Sequence, residues 1–339
     1  MRIVALAPNW LGDAVLALPA IADIRRARPQ ARVAVAARRS VAALFRLSHD
    51  VDDVIPLESD ARWWRRAAFR HDARALHGFD VAILFPNSFQ SAWLARRAGI
   101  AERWGYASDI RSRLLTRAVP RRKGGHQAEY YQRLTAALDL PSGPGAPVVD
   151  VPPAMRSAAR DLLLQHGHAA GEPFVVLAPG AAYGKAKQWI PAHVAALVAR
   201  LGRERRVSCV LVGSAADAGT AAEIARALPL DGASPVIDLV GRTSLDGLAG
   251  VLAEAAACVC NDSGAMHLAA AVGVPVVAPF GPTNEHATAP LPRPGARSEV
   301  ITHHVWCRPC MLRECPIDHR CMRGITPDRV FDAVVRVTA

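Results

Sequence analysis

At 339 residues the chain exceeds one ordinary hydrophobic core and fits two domains of roughly 150 residues each. A 51% hydrophobic content with ordinary Gly and Pro usage excludes a disordered or collagen-like chain, and the longest apolar stretch, 268–280, is broken by Gly273 and Pro275, short of the ~18 residues that suggest a membrane span. The net charge of +11 is uneven: residues 1–150 carry 23 Lys+Arg against 14 Asp+Glu, residues 151–339 carry 18 against 16. Such a basic half points either to an anionic partner (nucleic acid, a phosphorylated glycolipid or the inner membrane surface) or to an Arg-rich solvated face.

The chain runs from Met1-Arg2 straight into Ile3-Val4-Ala5-Leu6-Ala7 and Pro8 without a small-residue cleavage site, which reads as a buried first strand in a cytoplasmic protein. Short β-branched runs then alternate with Ala/Leu/Arg segments of helical period, the pattern of βαβ units on a parallel sheet. The pattern predicts strands near 2–7, 32–37 and 80–85, and helices near 14–27, 61–76, 88–98 and 126–139. Pro and Gly make 141–153 an interdomain linker. Beyond it, strands are expected near 174–178, 207–212, 236–239, 257–260 and 275–279, alternating with helices near 191–202, 215–228, 244–256 and 264–272. The expected architecture is α/β, with two doubly wound domains, 1–150 and 151–325, and a C-terminal helix over 326–339. Open parallel sheets bind ligands outside the carboxyl ends of their strands, so the loops there are where chemistry is expected.

Three such loops stand out. Pro8-Asn9-Trp10-Leu11-Gly12-Asp13 follows the first strand, and Asp13 is placed either to accept a proton from a bound hydroxyl or to cap the following helix. After the 174–178 strand, the segment from Pro179-Gly180 to Lys187-Gln188-Trp189 is rich in small residues and holds two of the three lysines, a pattern that suits a diphosphate although it lacks P-loop spacing. Asn261-Asp262-Ser263-Gly264-Ala265-Met266-His267 then opens an Ala-rich helix, whose amides and dipole would stabilise charge on a departing phosphate; the alternative is an Asp/Ser cap with His267 in the core. A G-x-G-x-x-G is absent after the first strand, which disfavours a dehydrogenase-type dinucleotide site.

Together with Pro86-Asn87-Ser88-Phe89-Gln90-Ser91-Ala92, the Gly105-Tyr106 to Arg111 stretch and Phe280-Gly281-Pro282-Thr283, these motifs resemble in order the ADP-heptose:lipopolysaccharide heptosyltransferases of glycosyltransferase family 9. The resemblance covers nearly the whole chain and is strongest toward the type II enzymes. It implies a GT-B fold of two Rossmann-like domains facing a central cleft, the N-terminal one binding the acceptor and the C-terminal one the nucleotide sugar. It also implies an inverting, cytoplasmic enzyme peripheral to the inner membrane, with ADP-heptose as donor, heptosyl-Kdo-lipid A as acceptor and no nucleic-acid partner. By the same resemblance Asp13 is the general base and Lys187 contacts donor phosphate. Gly180, Asp262, Ser263, Gly264 and His267 line the donor site, with Asp238 a looser match near the ribose. Asn87, Ser88, Arg111 and Arg113 are expected on the acceptor side. Because lysine and helix dipole can neutralise the diphosphate and the loops hold no D-x-D pair, catalysis is expected to need no cofactor. The rival readings are a type I or protein heptosyltransferase of the same fold and a non-catalytic nucleotide- or polyanion-binding module.

One cluster lies outside that pattern. Cys307, Cys310, Cys315 and Cys321 are spaced C-x2-C-x4-C-x5-C, which suggests a structural Zn or Fe site, with disulfides or reduced thiols as alternatives. Cys209, Cys258 and Cys260 fall in expected strands and read as core residues.

Overall fold

The computed structural model describes residues 1–59, 66–122, 124–229 and 236–339. It divides into two compact units, Met1–Asp150 and Val151–Ala339. The helix expected over 61–76 is seen as Arg66–Ala75, and positions 61–65 lie outside the described residues.

In the first unit the strands are β1 (Arg2–Leu6), β2 (Arg32–Arg38), β3 (Asp53–Leu57), β4 (Val81–Leu84), β5 (Glu102–Tyr106) and β6 (Arg117–Val119). They form one parallel sheet of order β3-β2-β1-β4-β5-β6. The second unit holds β7 (Phe174–Ala178), β8 (Ser208–Leu211), β9 (Val236–Asp238), β10 (Ala257–Cys260), β11 (Val276–Phe280) and β12 (Ser298–Thr302) in the order β12-β11-β10-β7-β8-β9. Its pairings are also parallel. Each sheet therefore winds outward in both directions from its first strand. The crevice at the switch point lies between the carboxyl ends of β1 and β4 in one unit and of β7 and β10 in the other.

Continuous apolar runs build the central strands because helices cover both faces of such a sheet. Every residue of β4, β7, β10 and β11 is buried, and a fully buried Val or Leu side chain contributes roughly 1.5–3 kcal/mol. Cys209, Cys258 and Cys260 are part of this interior, and burial raises the Cys209 thiol to about 12. The segment after the first unit's last helix is tied down by buried Asp23, whose carboxylate accepts from Gly143 N (2.8 Å), Gln132 Nε2 (3.0 Å) and Thr135 Oγ1 (3.3 Å).

Where the linker was expected to reach residue 153, the chain starts a helix, Pro153–Gln165, with proline in its first turn. The C-terminal helix Pro327–Thr338 belongs to the second unit and packs on the helix Pro191–Arg205 and on β11. The single helix expected over 14–27 is two, Leu11–Leu16 and Leu18–Ala27, which meet at Ala17 with Pro19 opening the second.

Candidate functional site

In the second unit the site is assembled by one carboxamide. Asn261, buried just past β10, donates through Nδ2 to the carbonyls of Pro179 (2.6 Å) and Gly180 (3.3 Å), and its Oδ1 accepts from Trp189 N (3.0 Å). Both ends of the 179–189 loop are thus fastened to the β10 loop. Inside that frame Lys187 Nζ donates to Asp262 Oδ2 at 2.7 Å, with side chains only 13% and 5% exposed. A pair this enclosed is held firmly, because removing one partner strands the other charge.

The helix Gly264–Val272 starts beside this pair, with Ser263 in the N-cap position but making no side-chain cap bond. Ser263 Oγ and Thr283 Oγ1 are buried without a hydrogen-bond partner among the described residues. Helix N-terminal amides, an unspent buried hydroxyl and an ammonium are the kinds of group that can hold an anion. His267 is buried one turn into the same helix. Gly180 is required by its neighbour, since a Cβ there would run into the carboxylate of Asp217.

Asp217 was not singled out in the sequence, yet it sits past β8, adjacent to β7, and accepts from Ser214 N and Oγ at 2.8 Å each. Its signal was the Ser214-x-x-Asp217 spacing just after a strand. Asp238, by contrast, ends the edge strand β9 and accepts from Val240 N at 2.9 Å.

In the first unit, Asp13 is the third residue of the helix Leu11–Leu16 and not its cap; the N-cap position is Trp10. Tyr131 Oη donates to Asp13 Oδ1 at 3.1 Å, and burial followed by the carboxylate's charge holds the phenol pKa well above 10, so it stays a donor. Asn87 and Ser88 follow β4, next to β1. Asn87 Nδ2 donates to Tyr130 Oη (2.7 Å), while Ser88 caps the helix Phe89–Arg97 through Ser91 N (3.3 Å).

Arg111 and Arg113 part company. The 3-10 turn Asp109–Leu114 has a three-residue period, which turns Arg111 and Leu114 inward and Ile110 and Arg113 outward. Arg111 is 1% exposed and donates to the carbonyls of Pro86 and Ser88. Burial lowers its pKa to about 10, still protonated at neutral pH. It therefore pins the Pro86–Ser88 loop from beneath, whereas Arg113 is exposed. The surface role expected of both is available to Arg113 alone.

All seven cysteines are free thiols. Burial first, and then the charges of Cys307, Cys315 and Cys310, raise the Cys321 pKa. Among the described residues, however, no three or more His, Cys, Asp or Glu side chains are arranged to hold a metal ion. As placed, the thiols do not form the expected tetrahedral site.

Two Rossmann-ordered sheets, matched over the whole chain by a solved heptosyltransferase, give the chain the fold of a GT-B glycosyltransferase. The model of glycosyltransferase family 9 (heptosyltransferase) matches residues 67–320, and the chain belongs to that family. It is 30% identical over 344 residues to lipopolysaccharide heptosyltransferase 2 of Escherichia coli K12, covering 98% of this chain and 97% of that protein. To lipopolysaccharide heptosyltransferase 1 of Pseudomonas aeruginosa it is 31% identical over 335 residues, covering 93% and 87%. The solved structure of the E. coli ADP-heptose LPS heptosyltransferase II superposes with a TM-score of 0.83 at 29% identity, covering 100% of this chain and 98% of that one.

Replacing Lys187 with Ala tests the anion site. It leaves Asp262 uncompensated beside the helix N-terminus, so ADP affinity should fall at least tenfold, the scale of one charge-assisted bond. Titration calorimetry giving an unchanged ADP dissociation constant would remove Lys187 from the phosphate site.

Proposed function

We propose that this glycosyltransferase moves heptose, with inversion, from ADP-L-glycero-D-manno-heptose onto the heptose of the lipopolysaccharide inner core, the heptosyltransferase II reaction. The observation that carries the reading is the enclosed Lys187–Asp262 pair at the start of the helix Gly264–Val272, in a chain that matches a type 2 enzyme over nearly its full length. In this reading the first unit binds the acceptor and the second the donor. Asp13, oriented by Tyr131, takes the proton of the acceptor hydroxyl. The acceptor oxygen bonds to the anomeric carbon, and the bond from that carbon to phosphate oxygen breaks with its electron pair on ADP. Lys187 and the helix amides receive that charge.

Gly180, Asp262, Ser263, Gly264 and His267 line the donor site in this proposal. The ribose carboxylate is better assigned to Asp217, which packs against Gly180, than to Asp238 at the sheet edge. Asn87, Ser88 and Arg113 face the acceptor, with Arg111 acting through the loop it supports. No cofactor enters the reaction. A non-catalytic nucleotide-binding role gives way to family membership.

The reading is tested by mass analysis of products from purified protein, ADP-heptose and either Kdo-lipid A or its mono-heptosylated form. Transfer to the mono-heptosylated acceptor alone is expected, and transfer to Kdo-lipid A would make the chain a type I enzyme. Asp13→Asn should bind ADP normally and lose roughly 10²–10⁴-fold in turnover; near-normal turnover would remove it as the base.

We also propose that the enzyme works at the cytoplasmic face of the inner membrane as a peripheral protein. No helix among the described residues is long and apolar enough to cross a membrane. The parallel order sets the segments after β1, β4 and β5 side by side, and from them Trp10 (64%), Phe89 (46%) and Trp93 (37%) of the helix Phe89–Arg97, and Ile110 (67%) are exposed in the basic unit. Phe89 and Trp93 stack at 6.3 Å, with Arg97 over the Trp93 ring at 5.8 Å. Aromatic side chains among cations suit an anionic lipid surface. Co-sedimentation should show binding to phosphatidylglycerol vesicles that falls with salt and is reduced several-fold by Trp93→Ser with Ile110→Ser. Equal binding to neutral vesicles, or none, would contradict it.

A structural Zn or Fe on the cysteine segment is a separate proposal, supported by the C-x2-C-x4-C-x5-C spacing. It requires the loop to close further than the structure shows. About one metal per purified chain by elemental analysis is the expected result; a metal-free chain with four titratable thiols in this segment would overturn it.

A further inference from the structure

The segment carrying the cysteines is built into the phosphate loop. On one side it is fixed to the loop after β11: Met311 N donates to Pro282 O (2.9 Å), and Arg308 donates to Gly281 O (2.8 Å) and to Glu285 Oε2 (2.6 Å). On the other side it receives the loop after β7. Ala186 N donates to Arg313 O (2.9 Å), Tyr183 Oη donates to Met311 O (2.8 Å), and Gly184 lies so close to the Arg313 backbone that a Cβ there would overlap it. Met311–Arg313 thus forms one wall of the 183–187 turn that carries Lys187.

That wall brings a cation with it. The Arg313 guanidinium carbon lies 5.2 Å from the centroid of the Tyr183 ring, and Lys187 Nζ lies 4.7 Å from the same centroid. Lys187 is already paired with Asp262, whereas Arg313 is exposed and has no carboxylate partner among the described residues. A nucleoside diphosphate carries at least two negative charges, more than one half-committed ammonium neutralises, and a guanidinium offers two parallel N–H donors to phosphate oxygens.

We propose that Arg313 is a second cation for the donor's diphosphate, held over Tyr183 by the cysteine-bearing segment. The assignment rests on the nucleotide-diphosphate reading of the Lys187 site. It gives the segment 307–321 a part in donor binding whether or not its thiols hold a metal.

Calorimetry with ADP on the full chain tests it. Arg313→Ala should raise the ADP dissociation constant about tenfold or more, and Arg313→Lys, which keeps the charge without the paired donors, should restore part of the loss. Steady-state kinetics should show a higher donor KM with the acceptor KM unchanged, and adenosine, which lacks phosphate, should compete equally against both proteins. Should Arg313→Ala unfold, Arg313→Gln keeps the stem over Tyr183 and is read the same way. Wild-type protein that binds ADP, with neutral variants that bind it equally well, would overturn the role of Arg313 alone. Wild-type protein that binds no ADP would overturn it together with the donor reading. Equal weakening toward adenosine and ADP would mean that Arg313 only shapes the loop.

Discussion

The 179–189 loop of the second unit depends on Asn261. Its carboxamide spends both ends on backbone, bonding Pro179 O and Gly180 O on one side and Trp189 N on the other. The loop between those points is consequently closed at its base before any ligand arrives. Lys187 reaches Asp262 because of that closure, and both stand where the helix Gly264–Val272 presents its free amides. A charged group fixed in advance stabilises a departing phosphate without reorganising, which is where electrostatic catalysis gains most.

The parallel sheet supplies the larger constraint. All carboxyl ends of such a sheet share one edge, and winding outward from β1 and β7 leaves a crevice beside each. Asp13, Asn87 and Ser88 belong to the first crevice. Lys187 and Asp262 belong to the second. These side chains lie in the segments that follow the carboxyl ends of the strands, whereas the central strands themselves are wholly buried.

Much of this was legible in the amino-acid sequence because buried central strands leave unbroken apolar runs: β1, β4, β7, β10 and β11 fall where periodicity puts them. Strands β3, β5, β6 and β12 did not show. Glu102–Tyr106 reads Glu-Arg-Trp-Gly-Tyr, and three of the four strands lie at a sheet edge, where one partner and partial exposure permit polar residues. The inward turn of Arg111 was hidden for a related reason, since its direction depends on a 3-10 period that composition does not reveal. Asp217 is not legible in the sequence because its importance comes from the absent side chain of Gly180, 37 positions earlier, a contact that only the fold creates. The cysteine spacing is plain in the sequence, but its attachment to the 179–189 loop through Tyr183 and Ala186 is not.

The most direct test is a crystal structure of the chain with ADP bound. The diphosphate is expected at the amino terminus of the helix Gly264–Val272, accepting hydrogen bonds from its first amides and from Lys187. A diphosphate seated away from that helix, with Lys187 still paired to Asp262 and out of reach, would contradict the account.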